Sequence, residues 1–234
     1  MHFQTSRRNV NLPQNIVIDN IPLDIKESVK FLGITLDSHL SWSQHVNNVS
    51  SSIAKGIGIL YKLKRFLLEH SLLVIFNALI LPYINYCNII WGNCGKTKLD
   101  HILLLQKKAA RICTKSSYLS HSNPLFYQLK IFNIHDINVL QVATFMYKYH
   151  YEMLPPVFDN FFLYNSNLHQ YPTRTCNNIH LSNPKLLLAH KSLRHHGPDI
   201  WNTLPNSLKQ IHIFSSFKRS IKQMLLNQYI TNQT

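Results

Sequence analysis

The spacing of apolar residues changes at about residue 43. Upstream, Asn15 to Ile18 and Val29 to Leu36 carry β-branched and aromatic residues between polar punctuation, with Asp19-Asn20 as a turn. This is how short antiparallel strands read. Pro22 restricts the stretch between them to an edge or a loop. Downstream, Val46, Val49, Ile53, Ile57, Leu60 and Leu67 recur at steps of three and four. On a helix they form one stripe, and Lys55, Lys62 and Arg65 project from the other side. Gly56 and Gly58 interrupt this segment. Each costs about 1 kcal/mol relative to Ala in a helix, which points to a neighbouring backbone coming close or to a bend.

Three more helices follow from the same pattern. Ser71 to Leu81 is almost wholly apolar, is ended or kinked by Pro82, and is expected to be buried. Thr97 and Asp100 stand at capping-box spacing. Beyond them Leu99, Ile102, Ala109, Ile112 and Cys113 share one side, and Lys108, Arg111 and Lys115 the other. Asp136 is placed to cap a helix reaching about Tyr149, which Pro155-Pro156 closes. Residues 157–190 lack a period and are rich in Asn, Pro and His, as a connector would be. The stretch 192–205 is turn-heavy around Trp201, which is expected to be buried. Ser215 is expected to cap a last helix with Phe217, Ile221 and Met224 on one face and Lys218, Arg219 and Lys222 as a further basic surface. The reading is a mainly α fold: a small N-terminal antiparallel β element (1–42), a helical bundle (43–156), a loop-rich connector (157–191) and a small C-terminal helical unit (192–234).

Composition narrows the partners. The 234 residues are 45% hydrophobic and 11% aromatic, which supplies one core or two small ones and excludes a disordered tail. Lys and Arg number 24 against 10 Asp and Glu, a formal charge of +14. The excess is spread as +4 over residues 1–68, +4 over 69–120 and +6 over 121–234, so the folded body itself is basic. Such a surface attracts polyanions, nucleic acid or an acidic membrane. On a helix Lys55, Lys62 and Arg65 lie within about 80° of one another, spaced to follow phosphates. Residues 70–95 hold no Lys, Arg, Asp or Glu, yet Asn77, Pro82, Asn85 and Asn88 break the run, which suits a core helix better than a membrane span. The opening MHFQTSRRNV leads into NLPQN rather than an apolar stretch, and four scattered cysteines make no disulfide framework. A reducing compartment, nuclear or cytoplasmic, is the simpler expectation.

The residues offer little to an enzyme. No carboxylate adjoins another, and the closest pair, Asp24 and Glu27, sits in the alternating LDIKE of a solvated turn. Cys87, Cys94 and His101 stand seven apart, unlike the short spacings of zinc sites. A metal or Cys-His hydrolase requires folding to bring those three within reach of one ion. His195-His196 reads as a pair pointing apart, and Cys87 and Cys113 lie in apolar segments where a thiol behaves as a small hydrophobe. No cofactor and no small-molecule substrate are expected.

VKFLGITLDSHLSWSQHV (29–46) resembles the segment after the catalytic palm in reverse transcriptases of non-LTR retrotransposons, particularly the jockey-like type. YKLKRFL (61–67), LILPYINYCNIIWGN (79–93), LQKKAARI (105–112), LFYQLKIFNIHDINVLQVATFMYKYHYEMLP (125–155), YPTRT (171–175), GPDIWNTLP (197–205) and SFKRSIKQMLL (216–226) agree in the same order. The resemblance implies that Phe31, Leu32 and Gly33 match the primer grip, a hairpin that positions the primer end. The helices after it would form a thumb over template-primer, with Lys55, Lys62 and Arg65 on its first helix. A thumb holds RNA or an A-like RNA-DNA hybrid by backbone and shape, for which cationic helix faces suffice. Lys108, Arg111 and Lys115 join the nucleic-acid-binding set.

The chain departs from the family where catalysis resides. That family's palm carries two adjacent aspartates that hold the catalytic metal ions, and this sequence has no Asp-Asp. It is therefore expected to be a non-catalytic C-terminal piece that binds template-primer but does not polymerise by itself. The palm and fingers, or another polymerase chain, are expected partners. A helical interaction scaffold or an inactive retroelement relic is the competing reading, in which part of the apolar 70–95 segment is exposed and promotes association.

Overall fold

The structure is a computed structural model and describes residue 3, residues 16–168 and residues 174–231. Asn15, at the head of the first expected strand, and Tyr171 to Thr173 of the YPTRT run lie outside these. The fold is mainly α, preceded by two separate two-stranded antiparallel hairpins. The first pairs β1 (Val17–Ile18) with β2 (Ile21–Pro22) around Asp19 and Asn20, both at positive φ. Val29 to Leu36, expected as one strand, is instead a hairpin of β3 (Ser28–Phe31) and β4 (Ile34–Asp37). The turn residues Leu32 and Gly33 have φ of 45° and 81°. Positive φ at both central positions matches the twist of paired strands, and the glycine accepts it without cost.

Asp37 organises the passage into the helices. Its carboxylate accepts from the backbone N–H groups of His39, Ser41 and Trp42 and from the Ser41 hydroxyl. Helix α1 (Ser43–Leu63) starts directly after, with no side-chain cap of its own. Of its expected stripe, Val46, Val49, Ile53, Ile57 and Leu60 are buried, whereas Leu67 lies beyond the helix end and is half-buried. Each such aliphatic side chain contributes about 1.5–3 kcal/mol of burial. Gly56 is explained: a Cβ there would lie 2.8 Å from Ile80 Cγ1, so the following helix pair comes close. Gly58 has nothing within 4 Å, and the structure gives no reason for it.

The apolar segment is divided among α2 (Glu69–Leu79), α3 (Leu81–Asn85) and α4 (Asn88–Trp91). Pro82 sits in the first turn of α3, where its missing N–H is harmless. Leu72, Phe76, Ile80 and Ile84 are fully buried, but Val74 is 54% exposed. The expectation that this helix is buried holds for one face only, because no described element covers the other.

Helix α5 (Lys96–Cys113) packs along α1. Thr97 does not cap it; the cap position is Gly95, without a side-chain bond. Its buried face is as expected, with Gln106 and Ala110 added. Gln106 Oε1 accepts from Ile134 N–H at 2.8 Å and its Nε2 donates to Phe132 O at 3.1 Å, fixing the start of the helix two elements on. Between lies α6 (Ser122–Leu129), which periodicity did not reveal because it is only two turns long. Helix α7 (Ile134–His150) is capped by Asn133, whose side chain accepts from His135 and Asp136 N–H. Asp136, expected as the cap, stands three residues later and accepts from Asn133 Nδ2 and the Tyr229 hydroxyl.

The stretch 157–191 carries 3-10 turns at Pro156–Phe158 and Asn165–Asn167, a bridge between Tyr164 and Ile179, and the one-turn α8 (Leu187–His190). Its Phe162 and Ile179 are buried against α7 and Trp201 in a second core cluster. Then come α9 (Leu193–Thr203), α10 (Asn206–Lys209) and α11 (Phe214–Thr231). Trp201 is buried as expected. Ser215 lies inside α11 rather than capping it. Helix α11 packs against both α6 and α7, and Tyr229 reaches the first core cluster. No helix among the described residues is long and apolar enough to cross a membrane.

Candidate nucleic-acid interface

Phe31, Leu32 and Gly33 form the tip of the β3–β4 hairpin, with Phe31 61% and Leu32 73% exposed. The tip is held from behind. Tyr86 Oη donates to Leu32 O at 2.6 Å, and a Cβ on Gly33 would lie 3.2 Å from the Tyr86 ring. Beside it opens a cavity of about 480 Å³ lined by Lys30, Thr35, Asn48, Ser52, Tyr83 and Tyr86, among others. None of these six belongs to the sequence-derived set. They come from β3, β4, α1 and the α3 region, up to 56 positions apart in the chain, so no local spacing signals them.

On α1, Asn48, Ser52, Lys55, Ile59 and Lys62 follow one another at steps of four, three, four and three. At 100° per residue they fall within about 80° of one face. The face therefore begins at the cavity and continues to Lys55 and Lys62, both exposed, which are about 10 Å apart along the axis by the 1.5 Å rise. Arg65 is exposed in the turn after the helix ends at Leu63, so it extends the row without sharing its rigid register.

The second expected cluster is less uniform. Lys108 is exposed on α5. Arg111 is half-buried: its Nε donates to Ser120 O at 2.9 Å and its guanidinium lies 6.0 Å from the centre of the Tyr118 ring. Lys115 follows the helix end at φ 52°. Arg111 thus ties down the 115–120 loop, while Lys108 and Lys115 are left to solvent.

The electrostatics are one-sided. All ten carboxylates of the chain fall among the described residues, yet none lies within 4 Å of a described Lys or Arg nitrogen; Asp100 pairs with His135 at 3.6 Å. The cations are not neutralised internally. Asp37 is spent on backbone N–H groups. Burial raises its carboxyl, but the bonds from Ser41, Trp42 and His39 outweigh this and hold it below the usual range. Burial raises the Asp136 carboxyl, with the Tyr229 bond and His135 opposing.

The metal-hydrolase alternative required Cys87, Cys94 and His101 to meet. Among the described residues no three His, Cys, Asp or Glu side chains gather to hold an ion. His195 and His196 do point apart, one to His190 at 3.2 Å and the other to Asn138 Oδ1 at 2.9 Å. Asn138 in turn donates to Asn88, so His196 completes a buried polar link between α4, α7 and α9.

No family model matches the chain, and no solved structure matches it. Among curated proteins it is similar to the probable RNA-directed DNA polymerase from transposon X-element of Drosophila melanogaster, with 26% identity over 138 residues. The match covers 57% of this chain and 15% of that protein. The chain is thus related to a transposon RNA-directed DNA polymerase over a small part of that protein's length.

Proposed function

We propose that this chain is the non-catalytic thumb and post-thumb part of a jockey-like non-LTR retrotransposon reverse transcriptase, and that it holds template-primer nucleic acid through basic helix faces. The observation that carries the reading is the face of α1 that starts at the hairpin tip and runs through Lys55 to Lys62 with no carboxylate against either lysine. Phe31, Leu32 and Gly33 meet the primer end of an RNA or RNA-DNA hybrid, and Lys55, Lys62 and Arg65 follow its phosphates. Lys108 and Lys115 add a second contact, with Arg111 shaping the loop beside them. The similarity to a transposon polymerase supports the assignment. The absence of adjacent aspartates supports a holding rather than a phosphoryl-transfer role.

The test is affinity for an RNA-DNA hybrid across a salt series. Lys55→Glu, Lys62→Glu and Arg65→Glu together should weaken binding and flatten the salt slope by about one for each phosphate that is no longer neutralised. An unchanged slope would remove α1 as the contact surface. Primer extension with template-primer, nucleotides and Mg²⁺ should yield no product, and any extension would overturn the non-catalytic part.

A scaffold reading draws on a different observation. Val74, Leu79, Tyr83 and Ile90 of the 70–95 segment are exposed. Light scattering that shows concentration-dependent association would favour it, and a monomer would count against it.

A further inference from the structure

A second groove lies away from the hairpin tip. It is about 590 Å³ in volume and opens between α7 and α11 on one side and α2 to α4 on the other. Its floor is largely aliphatic, including Leu81, Ile89, Ile131, Leu140 and Leu154, with Phe132 and Phe145 beside them. Its lining includes four lysines, Lys148 on α7, Lys218 and Lys222 on α11 and Lys130 in the turn after α6, and no Asp or Glu. Lys218 and Lys222 stand one turn apart on α11 and are exposed. Lys148 Nζ sits 5.3 Å from the centre of the Phe214 ring. No carboxylate lies within 4 Å of any of the four.

An apolar trough with unneutralised cations along its α7 and α11 side is complementary to a ligand that is apolar on one face and anionic along one edge. The apolar lining argues against nucleobases, which stack on aromatic faces, because aliphatic side chains outnumber Phe132 and Phe145 there. Gln141 is consumed at both ends, accepting from Ile89 N–H at 3.1 Å and donating to Asn85 O at 2.8 Å, and the Thr144 hydroxyl donates to Leu140 O. Asn77 and Asn85 are the exposed amides of the lining, both on the α2 to α4 side away from the lysines. The cations are all lysines, point charges that suit carboxylates as well as phosphates, and the groove lacks the bidentate arginine fork. We infer that the groove between the α7 and α11 side and α2 to α4 binds an acidic amphipathic peptide segment of a partner protein, with Leu or Phe side chains on the apolar lining and Asp or Glu side chains against the lysines. The inference does not depend on template-primer binding.

The test uses the full chain and a fluorescein-labelled synthetic peptide in which Leu and Phe alternate with Asp and Glu. Anisotropy should show saturable binding that weakens with salt. Lys218→Glu with Lys222→Glu should weaken it at least about ten-fold, and Lys218→Arg with Lys222→Arg should retain it. Lys26→Glu with Lys185→Glu, an equal change in net charge at exposed positions elsewhere, should leave it within about two-fold. Equal binding of a peptide with Leu and Phe replaced by Ser would reduce the effect to unspecific charge attraction and overturn the proposal. So would an equal loss in the Lys26 and Lys185 variant. Oligouridylate displacing the peptide at or below the peptide's own concentration would reassign the groove to a polynucleotide. Hybrid binding measured on the same variants separates failure here from failure of the α1 reading.

Discussion

The Tyr86 hydroxyl donates to the backbone carbonyl of Leu32 across 2.6 Å, joining the residue after α3 to a hairpin tip 54 positions earlier. Leu32 holds φ at 45°, a conformation that costs a non-glycine residue roughly 1 kcal/mol or more. The tip therefore depends on support from outside the hairpin.

Tyr86→Phe keeps the ring against Gly33 and removes only this bond, whose net worth is about 0.5–1.5 kcal/mol. Amide exchange at residues 30–34 should accelerate several-fold while the global melting temperature moves little. Hybrid affinity should fall with it if the tip touches the nucleic acid.

Two glycines on one helix should respond with opposite signs. Gly56→Ala pushes a Cβ into Ile80 Cγ1 and should destabilise by about 1–3 kcal/mol. Gly58→Ala meets nothing within 4 Å and should stabilise by about 0.5–1 kcal/mol through helix propensity. Denaturant midpoints at constant m-value decide both.

Three histidines should make the fold acid-sensitive. Burial lowers the pKa of His45, His150 and His196 in the folded chain, with Lys209 adding at His150 and with Asp199 opposing and His195 adding at His196. The unfolded chain then takes up protons first. Stability is fully present above the ordinary histidine value of 6.5 and is lost as pH falls below it. Thermal midpoints should drop between pH 7 and pH 5. His45→Gln, which keeps an acceptor near Thr35 N–H, should blunt the drop.

The thiols should fall into two groups. Burial pushes Cys113 up to about 12, with Glu69 adding, and its Sγ–H donates to Leu72 O. Burial also raises Cys94, against the pull of Lys98 and Lys191. Iodoacetamide at pH 8 should modify the half-buried Cys87 and Cys176 in the native protein, and Cys94 and Cys113 only after unfolding.

The helices that carry the cations were legible because a surface helix writes its buried face into the sequence at a 3.6-residue step. Val46 to Leu60 on α1 and Leu99 to Cys113 on α5 follow it. Their caps were not. Thr97, Asp136 and Ser215 all looked like caps, yet Gly95 and Asn133 hold the first two positions and Ser215 lies inside its helix. A cap depends on the φ and ψ of the capping residue itself, which composition does not specify. The burial of 71–81 was half right, because apolar character records what can be buried and not whether a neighbour arrives to bury it.

By itself the sequence determined the mainly α character, the two amphipathic helices and the cationic excess, since periodicity and charge are properties of neighbouring residues. Only the tertiary structure decided that Asn48, Ser52 and Tyr86 meet beside the hairpin tip, that Arg111 binds a loop while Lys55 and Lys62 stay free, and that four lysines from α7, α11 and the turn after α6 line one side of an apolar groove. Those arrangements depend on which faces pack together. That choice is made by burial summed over the whole chain, which no local stretch records.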